Sequence, residues 1–454
     1  MNDSTLTSTT LTHRLGEHVA NTPFEAIPES AFKTAKMYLL DTLAVSWAGS
    51  DAPGCREAHA VMAEQGGRED ATAWAFGGKL PAASAAFING MTSAALDYDS
   101  LNRDAPVHIN IAVLPAALAI AERERVTGRD FLTALVLATD ITCRLGAGAK
   151  HPPRGFHYTG AFGVFGAAAA AARLLKLDAL QTRHALGLAL LQASGTQQAN
   201  IEPSLSKRLL SSFAARSGVV AALLAQRGIT SPASAIEGAF GLYALYQDGD
   251  PERLVEELGT RFDSERLTLK KFPSCGCNHT SIEGMLRLVR EHDLKPDDVE
   301  SIELTISPYM DRIVGHAYDP SRDPHVAAQF SIRYSVACVL VRRKLGLAEI
   351  QADAAHDPEI NRHIPKVSLK INPELKSSRG PVAIRMRTRN HGELICRIDH
   401  VPGSAEAPLT QSEVTEKFDE CFRLGVKPMT GDAIAALLKR VDTLERLDDM
   451  SRFF

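Results

Sequence analysis

The chain has 454 residues, 45% of them apolar and 23% charged, the proportions of a globular protein with room for two domains. Its 50 Lys and Arg stand against 54 Asp and Glu, a net charge of −4. With that balance and no basic run interleaved with aromatics, neither nucleic acid nor an anionic membrane surface is expected as the main partner.

The opening stretch, MNDSTLTSTTLTHRLGEHV, lacks the basic flank and apolar run of a secretory signal. The longest uncharged apolar stretches, INIAVLPAALAIA (109–121) and GAFGVFGAAAAAA (160–172), are too short for a bilayer span and read as buried helices. Seven cysteines, an odd number scattered along a long chain, fit reduced thiols. A cytoplasmic location is expected.

In chain order, PESAFKTAKMYLLDTLAVSWAG (28–49) opens on Pro and acid, carries apolar residues at helical spacing and stops at Gly49. The same pattern predicts helices at 80–97, 109–125, 129–145, 160–175, 179–194, 211–227 and 232–247, many of them alanine-dense. No run of alternating strands is visible before residue 265. Beyond it the period changes to two. VESIELTISPY (299–309) alternates Ile302, Leu304 and Ile306 with polar residues, and PKVSLKINP (365–373) does the same through Val367, Leu369 and Ile371. PVAIRMRTRNHGELICRIDH (381–400) predicts a hairpin, with Val382, Ile384 and Met386 before an Asn-His-Gly turn and Leu394, Cys396 and Ile398 after it. A helix is expected at 326–346, and a capping box at Thr410 and Glu413 opens a helical tail. The fold expected is mainly α: a large all-helical domain over 1–265, an inserted smaller α+β lid domain over 266–403, and a helical tail over 404–454 that returns to the first domain.

KKFPSCGCNHT (270–280) raises the question of a metal. Structural zinc takes four ligands, whereas Cys275, Cys277 and His279 offer three with no second pair nearby, so no metal is expected. A C-x-x-C redox pair is absent from the stretch, and the two thiols read as lining a loop. The glycines of GAFGVFG (160–166) follow a histidine instead of a strand, so helix packing explains them better than a phosphate loop. Neither G-x-S-x-G nor H-E-x-x-H occurs. What remains is a set of polar residues in apolar or glycine-rich surroundings. Asp97, Asp99 and His108 lie at the edge of a buried helix, and His157 in a Pro/Gly loop. Lys207 and Arg208 precede another helix, Lys271 and His279 flank the cysteines, and Tyr334 lies in QFSIRYSVA. Each alone has a structural reading, as a cap, a core histidine or a snorkelling lysine. Together they can move protons beside carboxylates without a metal.

The same stretches carry a resemblance. LLDTLAVSWAG, NGMTSAALDYD, GFHYTGAFG, LSKRLLSSFAA, KKFPSC, FSIRYSVA and PLTQSEVTEKF, in that order and spacing, resemble the MmgE/PrpD family, which includes 2-methylcitrate dehydratase, cis-aconitate decarboxylase and iminodisuccinate epimerase. The resemblance implies a helical domain with a smaller lid, a homodimer, an active site between the domains and no cofactor. It points to Asp97, His108, His157, Lys207, His279 and Tyr334 as the active-site set, with Lys271 and Arg208 as substrate-binding residues. The chain departs from the family pattern at Ser100 and Leu101 after DYD, at Ile109 and Asn110 after His108, and at Leu210. These departures turn the expectation towards epimerisation of an iminodisuccinate-type amino-polycarboxylate. Dehydration of 2-methylcitrate or decarboxylation of cis-aconitate is the alternative. A non-catalytic scaffold is a third reading, against which Asp97, the histidines and Lys207 argue.

Overall fold

The computed structural model describes residues 10–102, 104, 107–150 and 154–454. The first nine residues of the opening stretch read for a signal, and the start of the loop before His157, lie outside the described residues. The described chain is mainly α. Among the described residues, nine helices of ten or more residues form its first body: α1 (Leu11–Asn21), α2 (Glu29–Gly49), α3 (Cys55–Glu64), α4 (Ala82–Ala94), α5 (Asn110–Glu124), α6 (Gly128–Gly148), α7 (Tyr158–Leu174), α8 (Ala179–Leu190) and α9 (Leu209–Gln226).

Helix α7 is the axis of this body, buried from Tyr158 to Ala172 and packed by α5, α6, α8 and α9. Its glycines let the neighbours close in. A Cβ at Gly166 would lie 1.9 Å from Thr142 Oγ1, and one at Gly160 would lie 2.4 Å from the Ser194 carbonyl oxygen. Small residues at helix crossings thus set the interaxial distance. Two segments, Gly128–Gly148 and Leu205–Gln226, are long and apolar enough to cross a membrane by length and composition. The most apolar window of the first is 94% buried inside the protein, as a core helix should be.

The second half builds a four-stranded sheet, β6-β5-β7-β8, from β5 (Val299–Ile306), β6 (Val367–Ile371), β7 (Val382–Thr388) and β8 (Gly392–Ile398). β5 runs parallel to β6 and antiparallel to β7. The hairpin has the register its alternation predicts, pairing Val382 with Ile398, Ile384 with Cys396 and Met386 with Leu394. Helix α10 (His279–Glu291) packs on β7 and β8. Around it lie α11 (Pro308–Val314), α12 (Pro324–Gln329) and α13 (Ile332–Arg342). The tail supplies α14 (Gln411–Phe422), capped by the Thr410/Glu413 box and packed on α2, and α15 (Gly431–Asp442).

Three expectations fail locally. The stretch 232–247 is mostly turns ending in a single helical turn, Leu242–Leu245, because Pro232, Gly238 and Gly241 interrupt its apolar spacing. The helix expected over 326–346 is two, since the Ser331 hydroxyl accepts from the Tyr334 N–H and restarts the helix. The first half also contains strands, two residues each. β1 (Ala71–Thr72) pairs with β2 (Lys79–Leu80), and β3 (Leu101–Asn102) pairs with β4 (Leu267–Thr268). The β3–β4 ladder matters most, because it draws residues 97–102 alongside 267–271.

Candidate active site

Helix α4 stops at Ala94 and the chain turns sharply into Asp97, whose φ of +49° lies in the left-handed region that non-glycine residues rarely adopt. Such a conformation costs about 1–3 kcal/mol and persists where its surroundings hold it. Two ammonium groups do so. Lys270, brought beside the turn by the β3–β4 ladder, donates to the Asp97 carbonyl oxygen at 2.5 Å and to Oδ2 at 2.9 Å. Lys207, on the 3-10 turn Leu205–Arg208 that leads into α9, donates to Oδ1. Burial alone would raise the Asp97 carboxyl, but the two lysines outweigh it and hold the group well below its usual range. The Lys207 ammonium also faces the Phe330 ring, 5.3 Å from its centroid.

Beside this triad His108 Nδ1 donates to Asp99 Oδ2 at 2.7 Å, which leaves Nε2 as the ring nitrogen for other partners. Burial pushes the His108 imidazole down and Asp99 pulls it partly back, with the net result below the ordinary value. His157 stands at the N-terminus of α7, and burial, reinforced by Lys207, pushes it down to about 3. Its Nδ1 is buried and without a partner.

Asp97, His108, His157 and Lys207 line part of a cavity of about 50 Å³. Further lining comes from the second half of the chain: Arg379 and Ser378, Tyr309 and Ile313 of α11, and the turn Cys275–Gly276–Cys277. Arg379 donates from Nη2 to the Asn102 carbonyl oxygen at 2.8 Å, which fixes its guanidinium in the cavity lining. A buried lysine and a buried arginine lining the same cavity suit an anion with more than one carboxylate.

The structure redistributes the residues expected from sequence. Asp97, His108, His157 and Lys207 converge on the cavity. Tyr334 does not line it: the side chain is wholly buried in α13 and its hydroxyl donates to the Glu349 carbonyl oxygen at 2.5 Å. Arg208 points the other way, donating to the Pro53 carbonyl oxygen at 2.6 Å. Lys271 is occupied at the surface by Glu283 and Glu413, each at 3.0 Å. His279 also lies behind the wall. Its Nε2 donates to the Ser274 carbonyl oxygen at 3.2 Å, its ring meets Phe272 edge-on, and burial pushes it down to about 3. Cys275, Cys277 and His279 therefore do not gather into a ligand set, and among the described residues no three His, Cys, Asp or Glu side chains do.

Two functional candidates were missed. Lys270 is the neighbour of the lysine chosen from sequence, and strand alternation near residue 270 sends the two side chains to opposite sides. Arg379 lies in a loop with no local signal, and only the tertiary fold brings it to the cavity. Of the positions where the chain departs from the family pattern, Leu101 lines the cavity, whereas Ser100 and Asn110 face the interior.

Comparison with known proteins fits this arrangement. The MmgE/PrpD N-terminal domain matches residues 13–254, and the MmgE/PrpD C-terminal domain matches residues 272–442. The chain belongs to the MmgE/PrpD family. Among its relatives, the cis-aconitate decarboxylase-like protein oryM of Aspergillus oryzae is 26% identical over 449 residues, covering 94% of this chain and 92% of that protein. The cis-aconitate decarboxylase of Homo sapiens is 26% identical over 442 residues, covering 94% of this chain and 90% of the relative. That of Aspergillus terreus is 24% identical over 429 residues, with 88% and 86% covered. MmgE/PrpD relatives of the decarboxylase type thus favour the lyase alternative and lend no support to an iminodisuccinate epimerase.

Proposed function

We propose that this MmgE/PrpD protein is a lyase that removes carbon dioxide from a small unsaturated polycarboxylate of the cis-aconitate type. The observation that carries the reading is the pair of buried cations, Lys207 and Arg379, that line one cavity together with His108, whose Nδ1 is held by Asp99.

Lys207 and Arg379 hold the carboxylates that stay. The leaving carboxylate faces the less charged part of the wall, where nothing stabilises its negative charge and loss of neutral carbon dioxide relieves it. The bond from that carboxyl carbon to the adjacent methylene breaks, and its electron pair becomes a new double bond to the central carbon. The old π pair takes a proton at the far carbon. His108 supplies that proton from Nε2. Its ring is disfavoured as a cation by burial, but an approaching polyanion adds negative charge and favours the imidazolium, which Asp99 then stabilises. One proton is consumed and one carbon dioxide is released per turnover. Lys270 keeps Asp97 ionised, and the Asp97 carboxylate holds the Lys207 side chain in place.

The test is direct. Incubation with cis-aconitate in deuterated water should release carbon dioxide and give a product carrying one deuterium at the protonated carbon. No carbon dioxide from cis-aconitate, together with water loss from 2-methylcitrate or bare α-proton exchange in an amino-polycarboxylate, would sink this reading. The protein is also proposed to work as a homodimer, which the exposed apolar stripe of Phe213, Val220 and Leu224 along α9 supports. Light scattering on the purified protein checks it, and a monomer mass at micromolar concentration refutes it.

A further inference from the structure

Five of the seven cysteines stand apart from the cavity: Cys55, Cys143, Cys338 and Cys421 are buried elsewhere, and Cys396 is half-buried on β8. Cys275 and Cys277 are different. Both line the cavity, with only Gly276 between them. The proposed decarboxylation uses nitrogen and oxygen groups, so neither sulfur has a task in it.

We propose that Cys275 and Cys277 are an oxidation site in the cavity wall, at which hydrogen peroxide joins the two sulfurs into a disulfide and switches the enzyme off. In the first step the Cys275 thiolate attacks a peroxide oxygen, the O–O bond breaks, and a sulfenic acid and one water result. In the second the Cys277 thiol attacks that sulfur, and a second water leaves as the disulfide forms. Two thiols are oxidised by two electrons in all, and the peroxide is reduced to two waters.

The order of attack follows from the surroundings. The neighbouring Cys277 thiol and the positive charge of Lys270 favour the Cys275 thiolate over opposition from burial, whereas Cys277 is pushed well up by Cys275 and by burial. Cys275 is therefore the nucleophile and Cys277 the resolving thiol.

The turn between them is wedged into the site. A Cβ at Gly276 would come within 3.0 Å of Leu101 Cδ2 and 3.2 Å of Arg379 Cδ. The Cys275 N–H is tied to the Gln329 carbonyl oxygen at 3.0 Å, and α10 begins two residues after Cys277. A new bond across this turn has to displace Leu101 and Arg379, the second of which is the proposed carboxylate anchor. The inference of an off-switch rests on that reading of the cavity; the disulfide itself does not.

Both cysteines fall in one tryptic peptide, residues 272–287. The reduced full-length protein is treated with hydrogen peroxide, with and without the saturated analogue tricarballylate, then alkylated, digested and analysed by mass spectrometry. The expected result is loss of two hydrogens from that peptide, a fall in decarboxylation of at least about tenfold, recovery with dithiothreitol, and slower oxidation when tricarballylate is present. In Cys277→Ser, measured against its own untreated rate, the two-hydrogen loss disappears and a sulfenic acid at Cys275 is trapped by dimedone. An unmodified peptide while Cys396 oxidises overturns the proposal, as does a disulfide that leaves the rate unchanged. Formation of the disulfide at the same speed with tricarballylate would keep the oxidation site but count against the cavity as a polycarboxylate site.

Discussion

Lys417 offers the sharpest test of how the tail supports the site. Its ammonium reaches Asp41 Oδ1 at 2.6 Å and donates to the carbonyl oxygens of Tyr98 at 3.0 Å and Lys270 at 2.9 Å. The two side chains are 2% and 0% exposed, so the pair is buried, and it ties α14 to α2 and to both segments that hold Asp97. Lys417→Met should therefore leave a buried carboxylate without its partner, a change that costs about 3–5 kcal/mol. The orphaned carbonyls add to this without summing fully. Against a total stability of about 5–15 kcal/mol, the loss should be plain in a urea midpoint. The sign of the pH dependence is also fixed. Burial already raises the Asp41 carboxyl and Lys417 restrains it, so removing the lysine raises it further. A carboxyl whose folded pKa is raised binds its proton more tightly when folded. The stability deficit of the variant should thus be smallest near the ordinary carboxylate range and grow as pH rises through the raised value. Asp41→Asn combined with Lys417→Met removes the unpaired charge and should recover at least about 2 kcal/mol of the loss. Turnover of the folded fraction of Lys417→Met should drop at least about tenfold, because the Tyr98 and Lys270 carbonyls flank the Asp97 contacts. An unchanged midpoint with full turnover, or a double variant no more stable than the single one, refutes the reasoning.

The remaining expectations are read by steady-state kinetics on folded variants. Lys207→Ala should lower kcat by at least about a hundredfold, the scale of a lost electrostatic or acid–base group, and near-normal turnover would remove Lys207 from the site. Lys270→Met should lower kcat by a similar factor while Lys271→Met stays within about threefold; equal effects would mean that Lys271 and not its neighbour was the better choice. Changing both Cys275 and Cys277 to Ser should keep kcat/KM within roughly tenfold, about 1.4 kcal/mol of transition-state energy, and a collapse of several orders would give a thiol a chemical role.

What sequence could and could not reveal follows from the range of the forces involved. The hairpin register was legible because alternation of period two is local, and Val382, Ile384 and Met386 could face only one way once the turn was placed. The capping box at Thr410 was legible for the same reason. The four residues of the main wall, Asp97, His108, His157 and Lys207, were each marked by a polar group set in apolar chain, which is costly unless it has work or a partner. Elsewhere the same mark misled. Tyr334, Arg208 and His279 are also polar groups in apolar chain, yet each meets a backbone carbonyl that no local pattern announces. A buried polar residue must be satisfied, and sequence shows the need without showing whether protein or substrate answers it. Arg379 is the converse case: its loop carries no mark, and its place in the cavity lining rests on a long-range bond to the Asn102 carbonyl oxygen. The β3–β4 ladder decides between Lys270 and Lys271. Adjacent residues on extended chain point to opposite sides, so one lysine enters the Asp97 turn and the other meets Glu283 and Glu413 outside. The side that faces inward was set by a two-residue pairing with a strand about 165 positions earlier in the chain, too short to leave a period of its own. The chemistry of this cavity is therefore written in residue types that sequence displays, and its selectivity in which of two neighbours a distant strand turns inward.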